Sequence, residues 1–448
     1  MSGMAILSFI GIILALVVII VGSVRGYSLI LVSTIAALVW SLLGAFASVS
    51  IDGGSFWKVF YDDYAVSYMK GVADIIIQMF PLFLAGNMFG KMLEMTGLPL
   101  AIADAVFARF GEKGVVSAVF FATFILSVAG INVFVIIFTM FPLASAFYKK
   151  AGLPRSMIPI NILAAAVAEQ CLPGVPTFNL IIPAQALGVN PASGFVMGIV
   201  TTIFVGGFNW LYLQHASKKF LKAGVGYGEE TEEEKRRVST INEADLPNPL
   251  LFLVPLAVVI VLMNVVNVPA WAALFVGCVV IFIMFYKRLG GFAKALSYLA
   301  EAAENSQVVM STGAICGIAA LISAVPGYQV VVGFLESVGS GNPYVLCAVA
   351  VALLAGFGGS SLGGIQFVLA NYVDKLLAMG ASPIALTRII AVSCLTLDSL
   401  PHNSANIITF QACGVEFKEG YYHFVFCTII STTLATIITV VMSTLGIY

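Results

Sequence analysis

The sequence predicts an all-α polytopic membrane protein built from two inverted-topology repeats, each with a re-entrant helical hairpin and a discontinuous helix. Three observations carry that prediction. The 448-residue chain is 60% hydrophobic and 10% charged, with a mean hydropathy of +1.04. Long uncharged runs recur along it. Proline and glycine punctuation repeats at an almost constant offset.

Soluble domains are about a quarter charged, and no water-soluble fold could cover this much apolar surface. A helix needs about 20 apolar residues to cross roughly 30 Å of hydrocarbon. The runs Ile6–Val21, Leu29–Ala45, Gly194–Leu213, Leu250–Val266 and Val425–Leu445 are long and almost uncharged, so several of them are spans. Alternating segments of about ten residues are missing, which argues against an outer-membrane barrel. A net charge of −1 gives no electrostatic footprint for nucleic acid. The seven cysteines are scattered through apolar stretches without ligand spacing. They read as small core residues, and neither a metal nor a cofactor is expected.

No Lys or Arg precedes Arg25, whereas a signal peptide opens on positive charge. Ile6–Val21 therefore reads as a retained span with its N-terminus outside. Basic residues collect on cytoplasmic loops. Arg25, then Lys91, Arg109 and Lys113, then Lys149, Lys150 and Arg155 fall on one side under that orientation. So do His215, Lys218, Lys219 and Lys222, and later Lys287, Arg288 and Lys294. The region from Asp52 to Asp63 reads as an acid-rich outer loop. This pattern predicts a multi-pass protein of the inner (plasma) membrane with both termini on the outer face.

The internal repeat has an offset of 226 to 228 residues. It relates Gly86 and Gly90 to Gly313 and Gly317, Pro99 to Pro326, and Gly111 to Gly339. Further along it relates Gly130 to Gly358, Gly152 to Gly380, Pro173 to Pro401, Asn179 to Asn406 and Gly188 to Gly414. Residues 1–213 form the first repeat, with scaffold helices about 1–110 and transport elements about 115–190. Residues 214–248 form a charged cytoplasmic linker, whose Glu229–Arg237 run reads as a solvated segment. Residues 249–448 form the second repeat, with transport elements about 343–415. The basic residues orient the halves oppositely, a design frequent in secondary transporters.

Each half has two broken segments. Val115–Tyr148 folds at Gly130-Ile131-Asn132, and Pro343–Met379 folds at the glycine-rich stretch Gly356–Gly364; their arms are too short to cross. Ser156–Leu187 is interrupted at Leu172–Thr177, and Pro383–Cys413 at Leu400–Ser404. A proline removes a backbone donor and frees a carbonyl. In lipid those groups must find partners, so broken backbone survives only when buried in protein or lining a cavity. Half-helix ends then offer N–H groups to a carboxylate and carbonyls to a cation.

The candidate substrate contacts are Gly130, Asn132, Thr177, Asn179, Gly358, Gly359, Ser360, Ser361, His402, Asn403, Ser404 and Asn406. The plainer role of their side chains is interhelical hydrogen bonding, worth about 0.6 kcal/mol each. Asp398 and Glu169 precede their prolines in nearly equivalent places and are candidates for ion coupling, because ionisable groups inside a span default to function. Their plainer reading is snorkelling or capping. His402 could also carry a proton or be a satisfied hydrogen-bond donor. Asp74 and Glu301 read as helix-start charges. Arg388 reads as a snorkelling side chain or a weak anion contact. The Gly86–Gly90 and Gly313–Gly317 pairs read as packing contacts.

At these residues the chain resembles the gluconate:proton symporter (GntP) family. The likeness rests on Ala129–Phe134, Phe138–Ala144, Leu172–Pro176 with Asn179 and Pro183, Gly358–Gly364, and above all Leu397-Asp398-Ser399-Leu400-Pro401-His402-Asn403. It runs in order over nearly the whole chain. The resemblance implies proton-coupled uptake of gluconate or a related hydroxy acid such as 3-hydroxybutyrate. It also implies a homodimer with a fixed scaffold and a moving transport domain, within the wider ion-transporter superfamily. Glu169-Gln170 departs from the uncharged residues of gluconate-type members.

The partners expected are a small organic anion, a coupling ion (a proton, alternatively sodium) and the lipid bilayer. A sodium/proton antiporter would use the same carboxylates without a carboxylate-sized cavity. A citrate or dicarboxylate carrier would want more cationic or amide contacts. An intramembrane protease could use Ser360 or Ser361 with His402, but the inverted repeat has no role in such an enzyme. A channel would not need paired broken helices.

Overall fold

The computed structural model describes most of residues 10–448; residues 1–9, 229–245, most of 307–340 and several single positions lie outside the described residues. Asn132, Gly359, Pro401, His402 and Ser404 are among those positions, so the expectations placed on them lie there too. The regular structure among the described residues is helical, with no strand.

Helix α1 is Leu29–Asp52. It turns at Gly53 and Gly54, whose positive φ values of 78° and 106° are open to glycine at little steric cost. Helix α2 follows at once as Phe56–Thr96, with a π-helical stretch at Asp62–Tyr68. The acid-rich loop expected near Asp52 to Asp63 is thus a short turn, and Asp62 and Asp63 are helical. The reason is an aromatic ladder of Phe56, Phe60, Tyr64 and Tyr68, whose successive rings stack at 6.2, 6.3 and 5.5 Å. Spaced four apart, they give the segment one packed face. Asp74 lies well inside α2 and is not a helix-start charge.

Gly97, left-handed at φ 78°, ends α2, and α3 (Leu98–Phe110) starts with Pro99 in its first turn, as the fixed φ of proline favours. Then come α4 (Val115–Val128) and α5 (Val133–Lys150). The broken pair is α6 (Met157–Glu169) and α7 (Phe178–Ala186). Helix α8 runs Phe195–Ala223, past the boundary expected at 213. Its last turns carry His215, Lys218, Lys219 and Lys222, and cations suit a helix C-terminus.

The second half begins with α9 (Leu253–Asn264), α10 (Ala270–Met284) and α11 (Phe292–Asn305). It continues with α12 (Pro343–Gly358), α13 (Ser361–Asn371), α14 (Val373–Ala378) and α15 (Pro383–Ser393). Helix α16 is Phe417–Thr444. Glu301 sits inside α11 and pairs with Lys91 of α2 at 2.8 Å. That corrects its expected helix-start role, although so exposed a pair contributes little.

Helices α1, α2, α8 and α16 are long and apolar enough to cross a membrane. They show apolar side chains outward, such as Ile203, Leu211 and Ile437, which suits a lipid solvent. The other arms are shorter. Helix α4 has 14 residues and α12 has 16, so at about 1.5 Å per residue they measure roughly 21 and 24 Å, short of the ~30 Å hydrocarbon. Helix α13 has 11 residues, roughly 17 Å by the same rise.

Helix α2 packs on α10 and α11. Gly317 lets a neighbouring segment close on it, since a Cβ there would stand 2.6 Å from Val72 Cγ2; Gly86, by contrast, faces open space. Around the broken helices, α6 packs on α4 and α8, α15 on α12 and α16, and α7 on both α13 and α15. Lipid offers no hydrophobic drive between helices, so packing and hydrogen bonds hold them. Asn161 of α6 donates to the Val116 carbonyl at 2.9 Å and to the Tyr148 hydroxyl at 2.8 Å. Asn209 of α8 donates to the Ala164 carbonyl at 3.0 Å. These bonds tie α6 into its neighbours from two sides.

Candidate functional site

The first break is built from local chemistry. The chain tightens at the end of α6, where the Leu172 N–H donates to the Glu169 carbonyl at 2.8 Å. Gly174 then takes φ 77°, and Pro173 and Pro176 cannot continue a helix. Two contacts fix the open backbone: the Gly174 N–H donates to the Pro191 carbonyl at 3.1 Å, and Asn264 of α9 donates to the Gly174 carbonyl at 2.9 Å. The helix resumes at Phe178. Thr177 stands at its start without a capping hydrogen bond, its Oγ1 buried and unpartnered. Pro183 inside α7 frees the carbonyl of Asn179, one turn earlier.

Across this break the Asn179 amide donates to the Gln170 Oε1. Glu169 does not join that pair. It is 3% exposed, and its Oε1 has no partner. The sequence placed Glu169 opposite Asp398. The offset of 228 that relates Pro173 to Pro401 relates Gln170, not Glu169, to Asp398. That signal was legible, but charge drew attention to the neighbour.

The second break starts earlier than the expected Leu400–Ser404. Helix α15 ends at Ser393, and the backbone tightens through Thr396, whose hydroxyl donates to the Ser393 carbonyl at 2.7 Å. Leu397–Ser399 forms a single 3-10 turn that presents Asp398. The Asn403 amide donates to the Asp398 carboxylate at 2.7 Å and to its main-chain carbonyl at 2.9 Å. The Asn403 Oδ1 accepts from the Asn406 N–H at 3.2 Å. The N–H and hydroxyl of Ser361 face the Asp398 carboxylate. Asp398 therefore sits at the start of α13, where a helix offers free N–H groups and a positive dipole end. Asp398, Ser360 and Ser361 remain partly accessible.

The hairpin tips meet their own breaks. Gly130, at φ 74°, lies against Pro176, and a Cβ there would stand 3.1 Å from Pro176 Cγ. Gly358 ends α12, and Gly356 two residues before it packs so closely that a Cβ would stand 2.6 Å from Leu397 Cβ. Gly364 brings the arms of the second hairpin together, 2.6 Å from the Val351 carbonyl on the same test. The halves also meet. Val175 and Leu180 of the first half pack with Ala391 of α15 in a small cluster of their own, joined by Val128 and Leu172.

The structure thus brings Ser361, Asp398, Asn403 and Asn406 into one network, and Gln170 and Asn179 into another beside Gly130 and Thr177. It leaves Glu169 out of both. Asn264 was missed because nothing in an apolar span marks one amide as the partner of a distant glycine. Arg388 does not snorkel. It is 1% exposed and donates to two carbonyls of the α7–α8 connection.

Long apolar helices around two broken ones, with polar groups gathered at the breaks, define a multi-pass membrane protein of the transporter class. The GntP family permease model matches residues 4–285, and the chain belongs to that family. A transporter of Bacillus subtilis, YxjC, uncharacterized itself, is 26% identical over 97% of this chain and 99% of its own length. An uncharacterized transporter of Haemophilus influenzae is 24% identical over 79% of this chain and 82% of its own. Among solved structures, the YdaH transporter of Alcanivorax borkumensis superposes with a TM-score of 0.58 at 14% identity, over 84% of this chain and 88% of that one; this is a likeness of fold. Membership makes the protein a secondary transporter of the gluconate-permease type, which takes a small anionic substrate and a coupling ion.

Proposed function

We propose that this permease imports a small hydroxy acid, a gluconate-like sugar acid or 3-hydroxybutyrate, together with a proton. The single observation that carries this reading is Asp398. A carboxylate at a helix break, still partly accessible, faces Ser361 of the second hairpin and accepts from Asn403 of its own break. Such a group can gain or lose a proton as its hydrogen-bonding partners move, which is what coupling requires. The substrate contacts are Gly130, Asn132, Thr177, Asn179, Gly358 to Ser361, and His402, Asn403, Ser404 and Asn406. His402 is a further coupling candidate, and Glu169, outside both polar networks, a lesser one.

The architecture proposed with it is two inverted repeats, with α4–α5 and α12–α13 as re-entrant hairpins. The packing of α4 on α6 beside that of α12 on α15, and of α6 on α8 beside that of α15 on α16, supports the pairing. Transport elements at about 115–190 and 343–415 then move as a unit against scaffold helices about 1–110 and their counterparts. The protein works as a homodimer in the inner membrane, with both termini outside and the linker, after α8 ends at Ala223, in the cytoplasm.

The test is uptake of labelled hydroxy acids by proteoliposomes. An inwardly directed proton gradient should drive accumulation, and an uncoupler should collapse it. Accumulation that follows a sodium gradient and ignores the uncoupler would reject the proton.

A further inference from the structure

Arg388 is the most deeply buried cation among the described residues, 1% exposed in the first turns of α15. Its guanidinium is held at two points. Nε donates to the Ser193 carbonyl at 2.9 Å and Nη2 to the Pro191 carbonyl at 3.0 Å. Gly194 makes room for it, since a Cβ there would stand 2.8 Å from Arg388 Cγ. Pro191 is also the residue whose carbonyl accepts the Gly174 N–H of the first break. One carbonyl thus joins the second half's arginine to the open backbone of the first half's break. The remaining nitrogen, Nη1, is buried and has no partner.

A structural arginine in an apolar interior has its donors filled or a carboxylate beside it, because an uncompensated buried charge is strongly unfavourable. Here the two partners are neutral carbonyls, and among the described residues no carboxylate lies within ion-pair distance. Glu169 keeps its own free oxygen. A planar guanidinium fixed at two corners, with the third corner free, is already oriented for an incoming carboxylate oxygen.

We propose that Arg388 is the anion-recognition residue of the site, with Nη1 donating to the substrate carboxylate beside the first break. This rests on the reading that the protein carries a hydroxy acid, and it divides the labour at the site. Arg388 and the first break read the carboxylate, while Asp398 and the second break handle the coupling ion. Neutral polyols of the same shape are rejected because they leave the guanidinium uncompensated.

Binding of a panel of hydroxy acids, and of the corresponding neutral polyols and methyl esters, to purified protein tests this. Wild type should bind an acid and discriminate against its neutral analogue by 100-fold or more. Arg388→Lys keeps the charge, but a single Nζ cannot hold both carbonyls and present a donor. It should weaken acid binding at least tenfold. Arg388→Gln should bring acid and neutral analogue to within threefold. Polyol binding by both variants at or above the wild-type level would show that the site is still formed. Wild type that binds no hydroxy acid would reject the proposed function itself. Wild type that binds one, with either variant keeping full discrimination, would overturn the role of Arg388 alone. Failure of both variants to accumulate in the membrane would assign the residue to folding and overturn it as well.

Discussion

The two helix breaks use one backbone device with different chemistry. The first is spanned by an amide pair, Asn179 to Gln170, and its backbone is pinned from outside by Asn264 and the Pro191 carbonyl. The second is organised around a carboxylate. Asp398 accepts from Asn403 across the break and faces Ser361 at the hairpin tip. A neutral pair needs no ion to be stable in a membrane interior. A carboxylate there needs donors or a proton. The difference teaches that a broken helix can be held either by a neutral amide pair or around a titratable group, and this chain uses one at each break.

The harshest way to test the comparison is to force apart the two arms of the second hairpin, whose tip faces Asp398. Gly364→Val puts a branched side chain against the Val351 carbonyl and the Ala355 N–H, 2.6 and 2.7 Å from the first added carbon. Uptake should be abolished, and the purified variant should unfold at a lower temperature than wild type. Full activity would mean that the arms are not held at this spacing.

Asp398→Asn comes next. It keeps the shape and one acceptor but removes the charge, and hydrogen bonds to a charged group are worth about 1.5–3 kcal/mol. Proton-driven uptake should fall about 100-fold, by the usual tenfold per 1.4 kcal/mol, with membrane abundance little changed. Exchange of substrate without a gradient should suffer less. An Asp398→Asn transporter with normal pH-dependent accumulation would remove the residue from the mechanism and erase the contrast between the breaks.

Asn179→Ala and Asn403→Ala each delete one amide across a break. At about 1–3 kcal/mol for a buried group left without its partner, each should raise the apparent KM about tenfold. The distinction lies in the pH profile, which Asn403→Ala should shift because its partner titrates and Asn179→Ala should not. Identical profiles would mean that the carboxylate does not set the pH dependence.

Glu169→Gln should have the smallest effect. It replaces a sealed carboxyl with no partner on Oε1 by a neutral isostere, so uptake should stay within about threefold and abundance should hold or rise, since burying an unpaired polar charge is unfavourable. A loss as large as that of Asp398→Asn would give the first break its own coupling group.

Much of this was legible in the chain. Composition alone required lipid as the solvent, and the prolines and glycines located the hairpin at Gly130 and the break at Leu172–Thr177 nearly to the residue. These are local effects: a missing N–H or a left-handed φ acts where it stands, whatever packs around it. The boundary errors were also local. Spans read by hydropathy stopped at Ala45 and Leu213, while the helices continue to Asp52 and Ala223, because polar residues at a membrane surface remain good helix formers.

Which polar groups meet was decided only by the tertiary structure. Along the chain both Glu169 and Asp398 read as coupling candidates, with Asp398 ahead. Packing buries one with its Oε1 unpartnered and places the other beside Ser361 and Asn403. Arg388 could have reached toward a headgroup, but the α7–α8 connection folds back and captures it through the Pro191 and Ser193 carbonyls. Pattern along a chain reports what each residue can do alone. Partnership depends on how elements from opposite halves cross, and that geometry comes from the packing of α7 against α13 and α15, which no single stretch of sequence encodes.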